Sequence, residues 1–245
     1  MSKINILIPA AGAGSRFAKE GYEKPKPFID VLGKPMIVRV LENLNVDNAH
    51  YIIILQKSHL EQEKELCKAI AKDYNVSFVS VSSLTEGTAC SVLHARELIN
   101  NNTPLMIANS DQIVDIDINN YINDCKNRNL DGSILCFIDK EKSPKWSFVK
   151  MNNELIVEVK EKEVISDIAT VGIYLFSKGS LFVDSAIDMI ARNDRVNNEF
   201  YTAPAYNYAI KNGAKIGCFL MNFDDMHGIG TPEDLKQYIE TIKGC

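Results

Sequence analysis

Three stretches of the chain carry residues able to handle phosphate. The first is Pro9-Ala10-Ala11-Gly12-Ala13-Gly14-Ser15-Arg16-Phe17, which follows the apolar run Ile4 to Ile8. Glycines in such a loop place no Cβ between backbone N–H groups and a phosphate oxygen, and they reach positive φ without strain. Ala10, Ala11, Gly12, Ala13, Gly14 and Ser15 are therefore candidate nucleotide-binding residues. Neither standard glycine loop is present. A dinucleotide fingerprint needs a third glycine where Phe17 stands, and a P-loop needs a Gly-Lys-Ser or Gly-Lys-Thr ending. The second stretch is Lys24-Pro25-Lys26-Pro27-Phe28, whose two prolines predict an extended backbone at Lys26. The third, Ala108-Asn109-Ser110-Asp111-Gln112, closes another apolar run with a carboxylate. Hard Mg²⁺ takes a few carboxylate oxygens together with substrate phosphates, which makes Asp111 a candidate metal ligand.

The elements that must position these residues follow from hydrophobic periodicity. Apolar runs at Ile4 to Ile8, Tyr51 to Leu55, Val76 to Val81 and Leu105 to Ala108 predict strands. Helical spacing at Ser58 to Lys72 and Thr88 to Asn100 separates them. That alternation predicts a parallel sheet buried on both faces, with ligands beyond the carboxyl ends of its strands. After Asp131 the spacing tightens, predicting strands at Ser133 to Ile138, Trp146 to Met151, Leu155 to Val159 and Thr170 to Phe176, with a turn at Asn152-Asn153. Helices are expected at Gly179 to Arg192 and Glu199 to Lys211, then a strand at Lys215 to Leu220. A final helix is announced by Thr231 as N-cap and Pro232 at its first position. The fold class is α/β: one Rossmann-like domain over residues 1–245 with a mixed, mostly parallel central sheet and helices on both faces. Residues 1–130 are expected to bind one substrate and residues 131–245 the other.

Bulk properties narrow the partners. With 46% hydrophobic and 24% charged residues the chain can build a core and is not disordered. The formal charge of -5, with Lys and Arg scattered, gives no electrostatic footprint for nucleic acid. The six cysteines form no CxxC pair and read as buried thiols in a reducing compartment. No run approaches the ~20 apolar residues that span a bilayer, so no membrane partner and a cytoplasmic location are expected.

In order along the chain, the glycine loop ending in Arg16, the Pro25-Lys26-Pro27 segment and the Gly33-Lys34-Pro35 turn resemble the nucleotidyltransferase family that includes the sugar-1-phosphate and choline-phosphate enzymes. The resemblance runs through nearly the whole chain. It implies transfer of a nucleoside monophosphate from an NTP to a small phosphorylated acceptor, with Mg²⁺ and release of pyrophosphate. Arg16 would grip the β and γ phosphates, Lys26 would neutralise the α-phosphate under attack, and Asp111 would hold Mg²⁺. Thr85-Glu86-Gly87-Thr88-Ala89-Cys90-Ser91 matches the family's base-binding loop, with Gly87 beside the base and Thr88 capping a helix that faces the triphosphate; a plain turn and N-cap accounts for the same residues without ligand. Ser110 joins the nucleotide set.

By the same resemblance Lys160 and Lys162, in Lys160-Glu161-Lys162-Glu163, and Glu199 would bind the acceptor, although a solvated charged strand end explains the first two as well. One position departs from the pattern: Gly228 stands where sugar-phosphate members carry a second metal Asp. Asp225, or Asp224, is the replacement to expect. The compact length is similar to that of choline-phosphate cytidylyltransferases and of the enzymes that activate phosphoglutamine for capsular phosphoramidate. That points to CTP, with dTTP or UTP and a sugar 1-phosphate as the alternative, and a homodimer is compatible. Two readings of other classes remain: a nucleotide-sugar glycosyltransferase with Asp115-Ile116-Asp117 as its metal motif, and a nucleotide-binding protein without turnover.

Overall fold

The computed structural model describes residues 3–244. Nine segments form the strands of one sheet, here numbered along the chain: β1 Ile4–Pro9, β2 Ala49–Gln56, β3 Val76–Val81, β4 Leu105–Ala108, β5 Gly132–Ile138, β6 Ser147–Asn152, β7 Leu155–Glu161, β8 Ile168–Phe176 and β9 Ile216–Leu220. Across the sheet they run β3-β2-β1-β4-β8-β5-β9-β7-β6. The first four are mutually parallel; β8 enters antiparallel to both β4 and β5, and β9 runs parallel to β5. The far edge curls back, so that Phe148 of β6 also pairs with Ala169 of β8.

Alternation along β1 and β2 explains their near-continuous apolar runs. Ile4, Ile6, Ile8, Ile53 and Leu55 face one core, whereas Leu7, Ile52 and Ile54 face the other. Helices Met36–Asn43, Lys64–Asp73, Ile118–Asn127 and Pro232–Gly244 cover the first face, and Thr88–Leu93, Arg96–Ile99, Gly179–Ala191 and Ala205–Lys211 the second. The last helix starts as expected, with the Thr231 hydroxyl accepting from Asp234 N at 3.1 Å.

Several local expectations are corrected. Lys26 is not extended: it opens a turn of 3₁₀-helix, Lys26–Phe28, in which Phe28 N donates to Pro25 O at 2.8 Å. The expected helix from Glu199 begins only at Ala205, because Phe200 spends its backbone on the loop that precedes the Thr88–Leu93 helix and Pro204 sits at the N-cap. The two long predicted helices each break, at Glu63 and at His94-Ala95. Thr88 is not an N-cap. Gly87 holds that position, and the Thr88 hydroxyl instead accepts from the backbone N and the hydroxyl of Thr202, both at 3.1 Å.

Candidate active site

At the carboxyl ends of β1 and β4 lies a cleft of about 610 Å³. The glycine loop forms its floor, from Pro9 to Phe17, and Gln56 at the end of β2 braces that loop from outside. The Gln56 amide donates to Ala11 O at 3.0 Å and to Gly12 O at 3.3 Å. Carbonyls held toward Gln56 leave the opposite side of the loop, and its N–H groups, to a ligand. Arg16 is exposed at the cleft, on the short Ser15–Lys19 helix anchored by buried Phe17.

Lys26 reaches the same cleft from its 3₁₀ turn, packed so close to the glycine loop that a Cβ on Gly14 would come within 3.1 Å of its own Cβ. Its ammonium donates directly to an Asp111 carboxylate oxygen. Gly230 closes over this pair: a Cβ there would lie 2.7 Å from Asp111 Oδ2. Two cations and one carboxylate, separated by up to 95 positions in the sequence, thus share one cavity with the backbone of Gly87, Thr88 and Ser110. The donor set suits Mg²⁺. One partly exposed carboxylate with open space before it leaves the remaining positions of a hard cation to phosphate oxygens and water.

One wall of the cleft depends on a close crossing. Gly87 has φ 121°, and a Cβ there would sit 2.4 Å from Phe200 O. Phe200 N donates to Glu86 O at 2.8 Å and Ala89 N donates to Phe200 O at 2.9 Å. Only glycine combines that φ with that approach. Arg195 secures the crossing, bridging Glu86 at 2.6 Å while its guanidinium lies 4.2 Å from the Phe200 ring centroid.

A second cavity of about 260 Å³ opens beside the first, lined by Lys145, Trp146, Ser147, Glu161, Tyr174 and Tyr201 among others. Glu161, at the end of β7, accepts from the Ser147 hydroxyl. Burial pushes its carboxyl above the ordinary glutamate range, and Glu199 nearby adds to the rise. Of the residues expected to bind the acceptor, Lys162 donates to Tyr201 Oη at 2.8 Å and so supports this cavity from behind. Lys160 stands away from both cavities, paired loosely with Glu158 and Glu163 at 3.8 and 3.9 Å. Glu199 lines the first cleft rather than the second.

Asp225 is a correction. Its carboxylate accepts from Asn222 at 3.1 Å, its carbonyl accepts from Asp115 N at 2.8 Å, and it lines neither cavity. The turn Phe223–Asp225 belongs to the back of a small ribbon in which Gly228 pairs with Gln112. Asp224, the other replacement, is exposed and also lines neither cavity. The Asp115-Ile116-Asp117 motif is likewise spent elsewhere: Asp115 meets His227 at 2.7 Å, and Asp117 caps the Ile118–Asn127 helix. Among the described residues no cluster of three or more His, Cys, Asp and Glu could hold a metal. Gln56 and Asn109 stand in no motif that assigns them a part, whereas Glu161 lies in the Lys160-Glu161-Lys162-Glu163 segment that resembles the family's acceptor-binding Glu-Lys pair.

An α/β sheet with a glycine-loop cleft at the carboxyl ends of its parallel strands defines the broad class of nucleotide-binding α/β proteins. Within it, this chain belongs to the Nucleotidyl transferase family, whose pattern it matches over residues 5–243. It is 24% identical over 236 residues to the bifunctional protein GlmU of Campylobacter fetus, covering 94% of this chain and 51% of that protein. It is 28% identical over 192 residues to the mannose-1-phosphate guanylyltransferase catalytic subunit beta of Xenopus tropicalis, covering 73% and 51%. The chain thus spans about half the length of these curated relatives. Among solved structures, the nucleoside-diphosphate-sugar pyrophosphorylase of Vibrio cholerae shares the fold at a TM-score of 0.79, with 22% identity over 96% of this chain and 99% of that one. The inositol-1-phosphate CTP transferase of T. maritima does so at 0.73, with 12% identity over 99% and 96%. Among the described residues no helix is long and apolar enough to cross a membrane.

Proposed function

We propose that this chain is a nucleotidyltransferase that joins the nucleoside monophosphate of CTP to a small phosphorylated acceptor such as phosphoglutamine or phosphocholine. The observation that carries the reading is the convergence of Arg16, Lys26 and Asp111 on one cleft floored by the glycine loop. A second reading, a dTTP- or UTP-dependent sugar-1-phosphate enzyme, is favoured by the sugar-phosphate names among its relatives and structural neighbours. Either acceptor would occupy the cavity bounded by Glu161, Trp146 and Tyr201.

An acceptor phosphate oxygen is already an anion, so no general base is required. It attacks the α-phosphorus as the bond to the β-phosphate oxygen breaks, and pyrophosphate departs with that electron pair. Loop N–H groups and Arg16 orient the triphosphate, and Lys26 counters charge on the α-phosphate. Mg²⁺, when bound by Asp111 and phosphate oxygens, supplies further neutralisation of the transferring and leaving groups. The ion pair between Lys26 and Asp111 holds the ammonium at the cleft.

The test is pyrophosphate release with each of four NTPs against phosphorylated amino acids, amino alcohols and sugars in the presence of Mg²⁺. The reading expects release that needs both substrates, fastest with CTP. It also expects Lys26→Ala to lower kcat by roughly 10²–10³ with a much smaller change in CTP affinity. Absence of turnover with every pair, or wild-type turnover by the Lys26 variant, sinks it.

A further inference from the structure

Two cavities meet at this sheet edge, and the residues common to both are Thr88 and Asn109. Thr88 is committed, its hydroxyl holding Thr202. Asn109 is exposed, and no hydrogen bond of its side chain is found among the described residues, so its amide is free to meet a ligand at the junction. A reaction between one substrate in the first cavity and another in the second must form its new bond where the two join.

The chain also fixes where that amide stands. Asn109 N donates to Gly172 O at 3.1 Å, which docks the end of β4 on the bulged middle of β8, where the register slips between Thr170 and Tyr174. Gly172 has φ 98°, and a Cβ there would lie 2.1 Å from Asn109 Nδ2. Any other residue at 172 would therefore drive the amide off its present position as well as strain the backbone. The bare Cα of Gly172 forms a seat for the amide of a residue that lines both cavities.

We infer that Asn109 is a catalytic residue whose amide N–H donates to the phosphate oxygens at the point of transfer, and that Gly172 is its positioning residue. The inference rests on the proposed transferase reading and deepens it. An amide donor there is neutral, so it can bridge the oxygens of the incoming acceptor phosphate and the α-phosphate without adding a second full charge to that of Lys26. It bonds more strongly as charge spreads over the equatorial oxygens than in the separate substrates, which is the condition for lowering the barrier. No proton moves through it, and the bonds made and broken are those already stated.

The experiment measures steady-state pyrophosphate release by the full chain with CTP and phosphocholine and with dTTP and glucose 1-phosphate, together with CTP binding by calorimetry. Asn109→Ala is expected to lower kcat ~100-fold while CTP affinity stays within about twofold, as for loss of one oriented donor. Gly172→Ala should show the same kcat defect, and the double variant should be no slower than either single one, since both remove one interaction. If Gly172→Ala does not fold, Asn109→Ala decides alone. Asn109→Ala within threefold of wild type, or a loss expressed wholly in CTP binding, overturns the inference and leaves the transferase reading standing. Single defects that multiply in the double variant overturn the positioning role. Wild-type inactivity with these pairs and with every other NTP–acceptor pair of the panel above removes the underlying reading and the inference with it.

Discussion

Gln56 shows how much a single amide contributes without touching phosphate. It holds two successive carbonyls of the glycine loop, at 3.0 and 3.3 Å, and thereby sets which side of the loop presents N–H groups. Gln56→Glu keeps the shape, but an ionised carboxylate cannot donate, so both carbonyls lose their partner. The expected outcome is an NTP KM about tenfold higher, roughly 1.4 kcal/mol of binding, with little change in thermal midpoint. An unchanged KM would show that the loop holds its form unaided. Arg16, Lys26 and Asp111 were legible from the sequence because each lies in a short pattern whose own residues fix it locally. Gln56 and Asn109 were not, since what they do depends on partners 44 and 45 positions away for the first and 63 for the second, and adjacent residues encode nothing of that pairing.

The elements were legible wherever burial on both faces imposes a continuous apolar run, as in β1 to β4. They were misread where tertiary contact overrides local preference. The Glu199 to Pro204 segment has helical spacing, yet the Phe200 amide and carbonyl are claimed by Glu86 and Ala89, and an inward crossing at Gly87 replaces the first turns. That crossing makes a clear prediction. Gly87→Ala combines φ 121° with a Cβ 2.4 Å from a carbonyl oxygen that cannot move alone. A loss of at least about 1–3 kcal/mol is expected, read as a lower urea midpoint at constant slope. A variant as stable as wild type would mean that the crossing is loose and that wall of the cleft plastic. Asp225, three positions before Gly228, lies in the Phe223–Asp225 turn that precedes the ribbon strand, and sequence spacing alone does not say so.

At the scale of the whole molecule, each cavity draws on both residues 1–130 and residues 131–245. Glu199 and Gly230 reach the first cleft from the second half, while Thr88 and Asn109 reach the second cavity from the first. The half-buried Glu161 carboxyl lets this shared region respond to pH. Its folded-state pKa lies above the ordinary glutamate value, so the folded chain binds the proton more tightly than the unfolded one. Stability from this group is therefore greatest below the ordinary glutamate range and declines as pH rises through the window up to the raised value. Glu161→Gln should raise the thermal midpoint at pH 7.5 by more than it does at pH 4. An equal effect at both pH values would show that Glu161 is solvated like a surface carboxylate.

One strand, β8, runs against its neighbours on both sides at the centre of the sheet. Its opening residues consequently stand at the same rim as the closing residues of β1 and β4, so one edge of the molecule gathers chain from opposite ends of its strands. Loops entering β8 and loops leaving β1 can lengthen on that side and remodel what is admitted there. The turn at Asn152-Asn153 lies between β6 and β7, outside the residues lining either cavity. It offers a place where a fused reporter would leave the working edge undisturbed.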